Sequence, residues 1–194
     1  MAPLLFALLL ALVAGIGARD QVLLAQLVAR NGQRLSLLVV AIGTGAAACL
    51  AAGYAASRAV PELDRPVRLV AAAMALAIAG IEALAIGPPR PAREPTQSLA
   101  AAGIVFLAQQ LTDSVRLALF AVALATASPF AVAGGLAGGS AALALGWLGG
   151  GKLAAGRRLR LARALCGIVL LAAAAGTLVQ ADGLSDRIWR SVSP

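Results

Sequence analysis

The sequence predicts an all-α integral membrane protein with six transmembrane helices arranged as two inverted three-helix repeats. Three observations predict it. Hydrophobic residues make up 61% of the chain and charged residues 12%, against about 25% charged in soluble domains. Apolar runs long enough to cross a bilayer recur six times, separated by connections rich in Pro, Gly or charge. The two halves also correspond at a constant offset of 93 positions. Alternating strand patterns are absent, which argues against a β-barrel.

Span 1 is expected over about residues 3–29. Met1 to Ala18 has the apolar length and small residues of a signal peptide, but no basic side chain precedes the apolar run. The apolar pattern resumes at Val22-Leu23-Leu24-Ala25. One long helix, weakened at Gly15 and Gly17, is therefore expected in place of a cleaved leader. Asn31-Gly32-Gln33-Arg34 is a turn with Gly at a helix C-cap position. Span 2 follows over about 36–57, with Gly43, Gly45 and Gly53 as a small-residue face. Pro61-Glu62-Leu63-Asp64-Arg65-Pro66 is too charged and proline-rich for lipid. Span 3 runs over about 67–87, with Glu82 in its last third, a third carboxylate within the spans whose place near a helix end also suits it to the interface.

Residues 88–97 hold four prolines and read as an extended linker. Span 4 is expected over about 98–127 and span 5 over about 129–149, where Gly134, Gly135, Gly138, Gly139 and Gly146 form a packing face. Lys152, Arg157, Arg158, Arg160 and Arg163 form a basic connection, and span 6 occupies about 162–181. The division is a first repeat at 1–87, the linker at 88–97, a second repeat at 98–183 and a polar tail at 184–194, in which Trp189 is a candidate interface anchor. Spans 1 and 4 exceed the bilayer thickness and must tilt, break or protrude.

The offset that takes Asp20 to Asp113 also takes Ser36 to Pro129, Gly45 to Gly138, Gly53 to Gly146 and Tyr54 to Trp147. Three spans per repeat is an odd number, so the second repeat enters from the opposite face. Transporters use this design, with the site at the repeat interface near the midplane and formed by interrupted helices.

A net charge of +8 and a pI near 11.4 would suggest nucleic acid in a soluble chain. Here 14 of the 16 basic residues fall in connections and tails. They read as topology signal and lipid-headgroup contacts, and no nucleic-acid partner is expected. Nine lie on one side and five on the other, which directs both termini away from the cytoplasm. Oligomeric state is not legible. The chain has no His, so the commonest shuttle and metal ligand is missing and no nucleophile–base pair is visible. An enzyme is not expected. Cys49 and Cys166 sit in apolar runs without a CxxC motif and read as packing residues. Gly149-Gly150-Gly151-Lys152 lacks phosphate-loop spacing.

Two polar knots interrupt the apolar spans: Gly17-Ala18-Arg19-Asp20-Gln21, and Gln109-Gln110-Leu111-Thr112-Asp113-Ser114-Val115-Arg116. An ionisable residue at membrane depth costs about 2.5–3.5 kcal/mol on insertion scales and marks a functional site by default. Arg116 lies three residues after Asp113, on the same helical face, and can pair with it. Arg19 does not share a face with Asp20 and is expected to pair across the repeat interface.

The pattern resembles the Golgi manganese/calcium–proton exchanger family and its bacterial relatives. Each repeat of that family carries Glu-x-Gly-Asp-Lys/Arg-Ser/Thr-Gln, followed by Leu and Ala, and later a turn that opens a Gly-rich helix. Here Asp113 is followed by Leu117-Ala118, Ser128-Pro129 and Gly134-Gly135, and Asp20 by Leu24-Ala25, Arg34, Ser36 and Gly43. The likeness spans nearly the whole chain. The Asp survives in both motifs. The motif Glu is replaced by Gly17 and Gln110, the Gly by Arg19 and Thr112, and the final Gln by Leu23 and Arg116. The resemblance implies antiport of Mn²⁺ or Ca²⁺ against protons in a bacterial inner (plasma) membrane. Asp20 and Asp113 would bind the cation or carry the proton, with Gln21, Gln110, Thr112 and Ser114 as neutral oxygen ligands. No resident cofactor is expected, only the transported cation. Two other readings stay open. Arg19 and Arg116 would neutralise the carboxylates in a non-transporting membrane scaffold, or would bind a small charged metabolite for export.

Overall fold

A computed structural model describes residues 1–85, 98–150 and 157–192, with side chains in the last stretch from 159 to 183. The expected linker at 88–97, Lys152 and the side chain of Trp189 lie outside the described residues. Those described form eight α-helices and no strand: α1 (Ala2–Gly15), α2 (Arg19–Asn31), α3 (Leu35–Ala59), α4 (Arg65–Ala85), α5 (Leu99–Leu111), α6 (Ser114–Thr126), α7 (Phe130–Gly149) and α8 (Arg157–Val192). A 3-10 turn, Val60–Glu62, extends α3.

Four stretches are long and apolar enough to cross a membrane: Leu35–Glu62, Arg65–Ala85, Phe130–Gly149 and Leu159–Gly183. Two further helix pairs are long and apolar enough when taken together, and each is bent at a short break, as a broken span or a re-entrant loop would be. α1 and α2 meet at 55°, and α5 and α6 at 49°. Span 1 is thus not the continuous helix expected from the sequence. Gly17 takes φ +76°, a left-handed conformation that a glycine enters without steric cost, and Ala18 follows extended at ψ 155°. Span 4 breaks because Thr112 and Asp113 leave helical geometry, Asp113 at ψ 151°. Its carboxylate then accepts from the Ser114 backbone N–H at 2.9 Å and caps α6.

The last helix departs most from expectation. α8 starts at Arg157 and runs to Val192, so the stretch read as a polar tail is helical. Polar composition at 184–192 removes the apolar signal that marks a span, but contains no proline to stop a helix before Pro194.

The most extensive packing is α1 on α7 and α4 on α8. Without water to drive burial, helices in lipid associate through close contact of small residues. Gly134 and Gly138 put α7 directly on the α1 backbone, where added Cβ atoms would overlap the carbonyl oxygens of Leu4 and Leu8. Gly80 and Gly167 do the same for α4 and α8, each facing the other's carbonyl. The core is correspondingly rich in alanine, with Val115, Leu119, Leu124 and Leu170 among its larger members. A second cluster gathers Leu23, Leu24, Leu27, Phe106 and Leu143. The outside is also apolar. Leu9, Val39, Leu50, Met74, Ile104, Leu148 and Val179 are exposed, an arrangement suited to lipid and costly in water.

Candidate functional site

The two breaks place the polar knots against each other inside the helix assembly. At the first break the Gly17 N–H donates to Gln21 Oε1 at 2.7 Å. Gln21 Nε2 donates in turn to the Ala142 carbonyl of α7 at 2.7 Å. The Gln21 side chain lies where a Cβ on Gly146 would otherwise fall. Gln21 therefore braces the break against α7. Asp20 opens α2 and accepts from the Gln21 backbone N–H at 2.8 Å, favourably placed for the positive end of the helix dipole.

Arg116, on the first turn of α6, joins the two knots. Its Nη1 lies 3.3 Å from Asp20 Oδ2 and 3.6 Å from Asp113 Oδ2. The aspartates, 93 residues apart, thus share one guanidinium nitrogen. Gln110 Nε2 also donates to Asp20 Oδ2, at 3.2 Å, and to the Ala41 carbonyl of α3 at 3.1 Å. Ser114 Oγ donates to Asp113 Oδ1 at 3.3 Å. Asp20, Gln110, Asp113 and Arg116 are all buried, with Asp113 at 0% exposure. Gly45 on α3 leaves space for the guanidinium, because an added Cβ would sit 2.7 Å from Arg116 Nη2.

A second set of charges adjoins the first. Arg19 Nη2 pairs with Glu82 Oε1 and donates to the Thr112 carbonyl at 3.2 Å. Glu82 is therefore buried and paired, and does not reach the interface as its place near a helix end suggested. Arg19 does cross to the second knot as expected, but onto a backbone carbonyl, and its carboxylate partner comes from α4 in its own half. Arg163, assigned from sequence to a basic connection, is also buried. It donates through Nη1 to the Gly17 carbonyl at 2.8 Å and through Nε to the Ala83 carbonyl at 3.0 Å. The guanidinium thereby satisfies a carbonyl freed by the break in span 1.

Of the residues singled out from sequence, Asp20, Asp113, Gln110, Ser114 and Arg116 come together. Gln21 turns to α7, and Thr112 is exposed beside the cluster, with its carbonyl engaged by Arg19. Sequence reasoning missed Arg163 as a member, and set Glu82 aside as a third carboxylate placed near a helix end. Their signal was the same as that of the knots, an ionisable residue inside or at the mouth of an apolar run.

Some polar atoms in the cluster lack a hydrogen-bond partner among the described residues: Asp113 Oδ2, Gln110 Oε1, Glu82 Oε2, and Nε of Arg19 and Arg116. The free acceptors are all oxygens, the atom type that takes a proton or a hard cation. No three His, Cys, Asp or Glu side chains converge as metal ligands among the described residues. Cys49 and Cys166 are free and buried. A cavity of about 370 Å³, lined by Leu50, Tyr54, Val60, Ala123, Pro129 and Val132 among others, opens between α3, α6 and α7, and none of the charged groups lines it.

Gly45→Ala is expected to crowd Arg116 and lower stability by about 1–3 kcal/mol, the usual cost of overpacking. Gly43→Ala, two residues away with nothing within 4 Å of its added Cβ, is expected to gain about 0.5–1 kcal/mol, as an open helical Gly→Ala change ordinarily does. Thermal unfolding in detergent compares them.

Helices of membrane-spanning length and composition, joined around a buried carboxylate–guanidinium cluster, define the class of an integral membrane protein. No family model, curated protein or solved structure matches the chain.

Proposed function

We propose that the chain is a six-span exchanger of two inverted three-helix repeats, a divergent member of the manganese/calcium–proton exchanger family, that moves a divalent cation against protons. The observation that carries this reading is the meeting of two bent helix pairs, with Asp20 and Asp113 in reach of one guanidinium nitrogen. Interrupted helices meeting at a repeat interface are how such transporters build a site. The order of elements, a broken span followed by two continuous ones, occurs twice. Arg19 and Thr112, which touch, are themselves related by the 93-residue offset. Contact between equivalent positions is expected where a pseudo-two-fold axis passes.

In this reading Arg116 is the resident counter-ion. An arriving Mn²⁺ or Ca²⁺ takes the aspartate oxygens and the free Gln110 oxygen as the guanidinium withdraws. When the cation leaves, protons or Arg116 neutralise the carboxylates again. The cytoplasmic side is the one that carries most of the connecting arginines, and a bacterial inner membrane fits that bias.

One observation favours a second reading, a non-transporting scaffold. Each carboxylate of the cluster already faces a guanidinium, Asp20 and Asp113 sharing that of Arg116, and the buried Arg163 supplies the third positive charge, so no net negative charge is left over for a dication. Flux separates the two. In proteoliposomes with an imposed pH gradient, the wild-type protein is expected to move Mn²⁺ or Ca²⁺, and Asp20→Asn or Asp113→Asn to abolish the movement. Equal flux in the wild type and both variants, or none in any, rejects exchange.

A further inference from the structure

We infer that Glu82 is the outer carboxylate of the ion path and that its pair with Arg19 closes the path between a water-filled vestibule and the sealed Asp20–Arg116–Asp113 centre. The nature of the passing ion rests on the exchange reading. The vestibule and its closure do not.

The first support is a gradient of exposure. The Arg19 side chain is 22% exposed and Thr112 is open, whereas the Glu82 side chain is 8% exposed and Asp113 0%. Arg19 and Thr112 stand at the helix breaks, between helical segments of 13 or 14 residues. At 1.5 Å per residue, each segment spans roughly 20 Å, so the breaks lie deep in the hydrocarbon layer. A guanidinium open to lipid at that depth is strongly disfavoured, and intramembrane charges face the protein interior or a watery cavity. The open faces of Arg19 and Thr112 therefore meet water.

The second support is the free acceptor. Glu82 Oε2 is buried and has no hydrogen-bond partner among the described residues, although Oε1 is held by Arg19. A buried, half-satisfied carboxylate next to a vestibule can accept a proton or contribute to a cation site. Its main chain is fixed in place, because Arg163 reaches the Glu82 and Ala83 carbonyls and also the Gly17 carbonyl at the break.

The third support is connectivity. Arg19 holds Glu82 with the same nitrogen that holds the Thr112 carbonyl. Thr112 directly precedes the buried Asp113. An ion entering from the open side meets Thr112 and Arg19 first, then Glu82, then Asp113. Withdrawal of Arg19 frees the Glu82 side chain and the Thr112 carbonyl together, while Arg163 keeps the α4 main chain in place, which is what an opening step needs.

Thiol accessibility tests this. In full-length protein carrying Cys49→Ala and Cys166→Ala, single Thr112→Cys and Ser114→Cys variants are reconstituted in vesicles. They are treated with a membrane-impermeant cationic thiosulfonate or with a lipid-soluble maleimide. Thr112→Cys is expected to react with the impermeant reagent, and Ser114→Cys, at a position where the native serine is 2% exposed, to be protected. Adding Glu82→Gln or Arg19→Gln is expected to raise the Ser114→Cys rate by about tenfold, and Arg19→Lys to keep it low. Two results overturn the inference. Thr112→Cys reacting only with the lipid-soluble reagent would place it in lipid. An unchanged Ser114→Cys rate in both Glu82→Gln and Arg19→Gln would make the pair a brace and nothing more. If labelling follows expectation while no protein shows flux, the exchange reading fails and the vestibule stands.

Discussion

Arg116→Gln is expected to cost about 3–5 kcal/mol of stability, the range for removing one partner of a buried ion pair. The variant leaves Asp20 and Asp113 facing each other in a site closed to solvent. Asp20 keeps the Gln110 amide and the Gln21 N–H, and Asp113 keeps Ser114. None of these donors carries a charge. The like charges then repel where little solvent screens them. Asp113→Asn added to Arg116→Gln is expected to recover a large part of the loss, because one carboxylate then remains with neutral donors. Reversible unfolding in mixed detergent micelles measures both. A single variant within 0.5 kcal/mol of the wild type, on the ordinary scale of surface substitutions, would show that the guanidinium is not the counter-ion of this pair.

The second large effect is steric. Gly138→Ala would drive a Cβ into the Leu8 carbonyl and to 3.0 Å from the Leu12 N–H, and Gly134→Ala would drive one into the Leu4 carbonyl. A flexible side chain could swing aside, but these atoms belong to the α1 backbone. α1 must shift as a body, and with it the break that sets Asp20. Each substitution is expected to cost at least the upper end of about 1–3 kcal/mol, and the double variant is expected not to accumulate folded protein. Gly176→Ala is the control. Nothing lies within 4 Å of its added Cβ, and a helical Gly→Ala change ordinarily gains about 0.5–1 kcal/mol. Expression yield and thermal unfolding read the contrast. Equal behaviour of Gly138→Ala and Gly176→Ala would mean that α1 and α7 are not in backbone contact.

The sequence disclosed the helices through their apolar runs, and the centre of the site through charges placed where lipid forbids them. Asp113 with Arg116 was readable because three residues make a helical neighbour. Asp20 with Arg116 was not, since that contact depends on how two bent helix pairs meet, and no local spacing records it. The breaks themselves were only half legible. Gly15 and Gly17 marked a weak point, but a glycine in a helix signals a lower propensity and not a 55° bend. The break at Thr112-Asp113 has no glycine at all. It comes from an aspartate that caps the following helix, a role that aspartate takes up only where the backbone has already turned. Glu82 and Arg163 were misplaced for one reason. Both lie near helix ends, where a charge is normally at the headgroups, and only the packing of α4 on α8 draws them inward. α8 itself shows the limit of hydropathy, which reports where lipid ends and not where a helix does.

The charges of the cluster have one more consequence. Asp20, Glu82 and Asp113 stand against Arg19, Arg116 and Arg163, so with every group ionised the whole sums to zero. Moving one elementary charge across a membrane involves about 2.3 kcal/mol per 100 mV. A neutral group of six that translates as one body does no such work, and that translation is blind to the membrane potential, whereas withdrawal of Arg19 alone is not. Each neutralising substitution removes that indifference and leaves a core that the voltage can push.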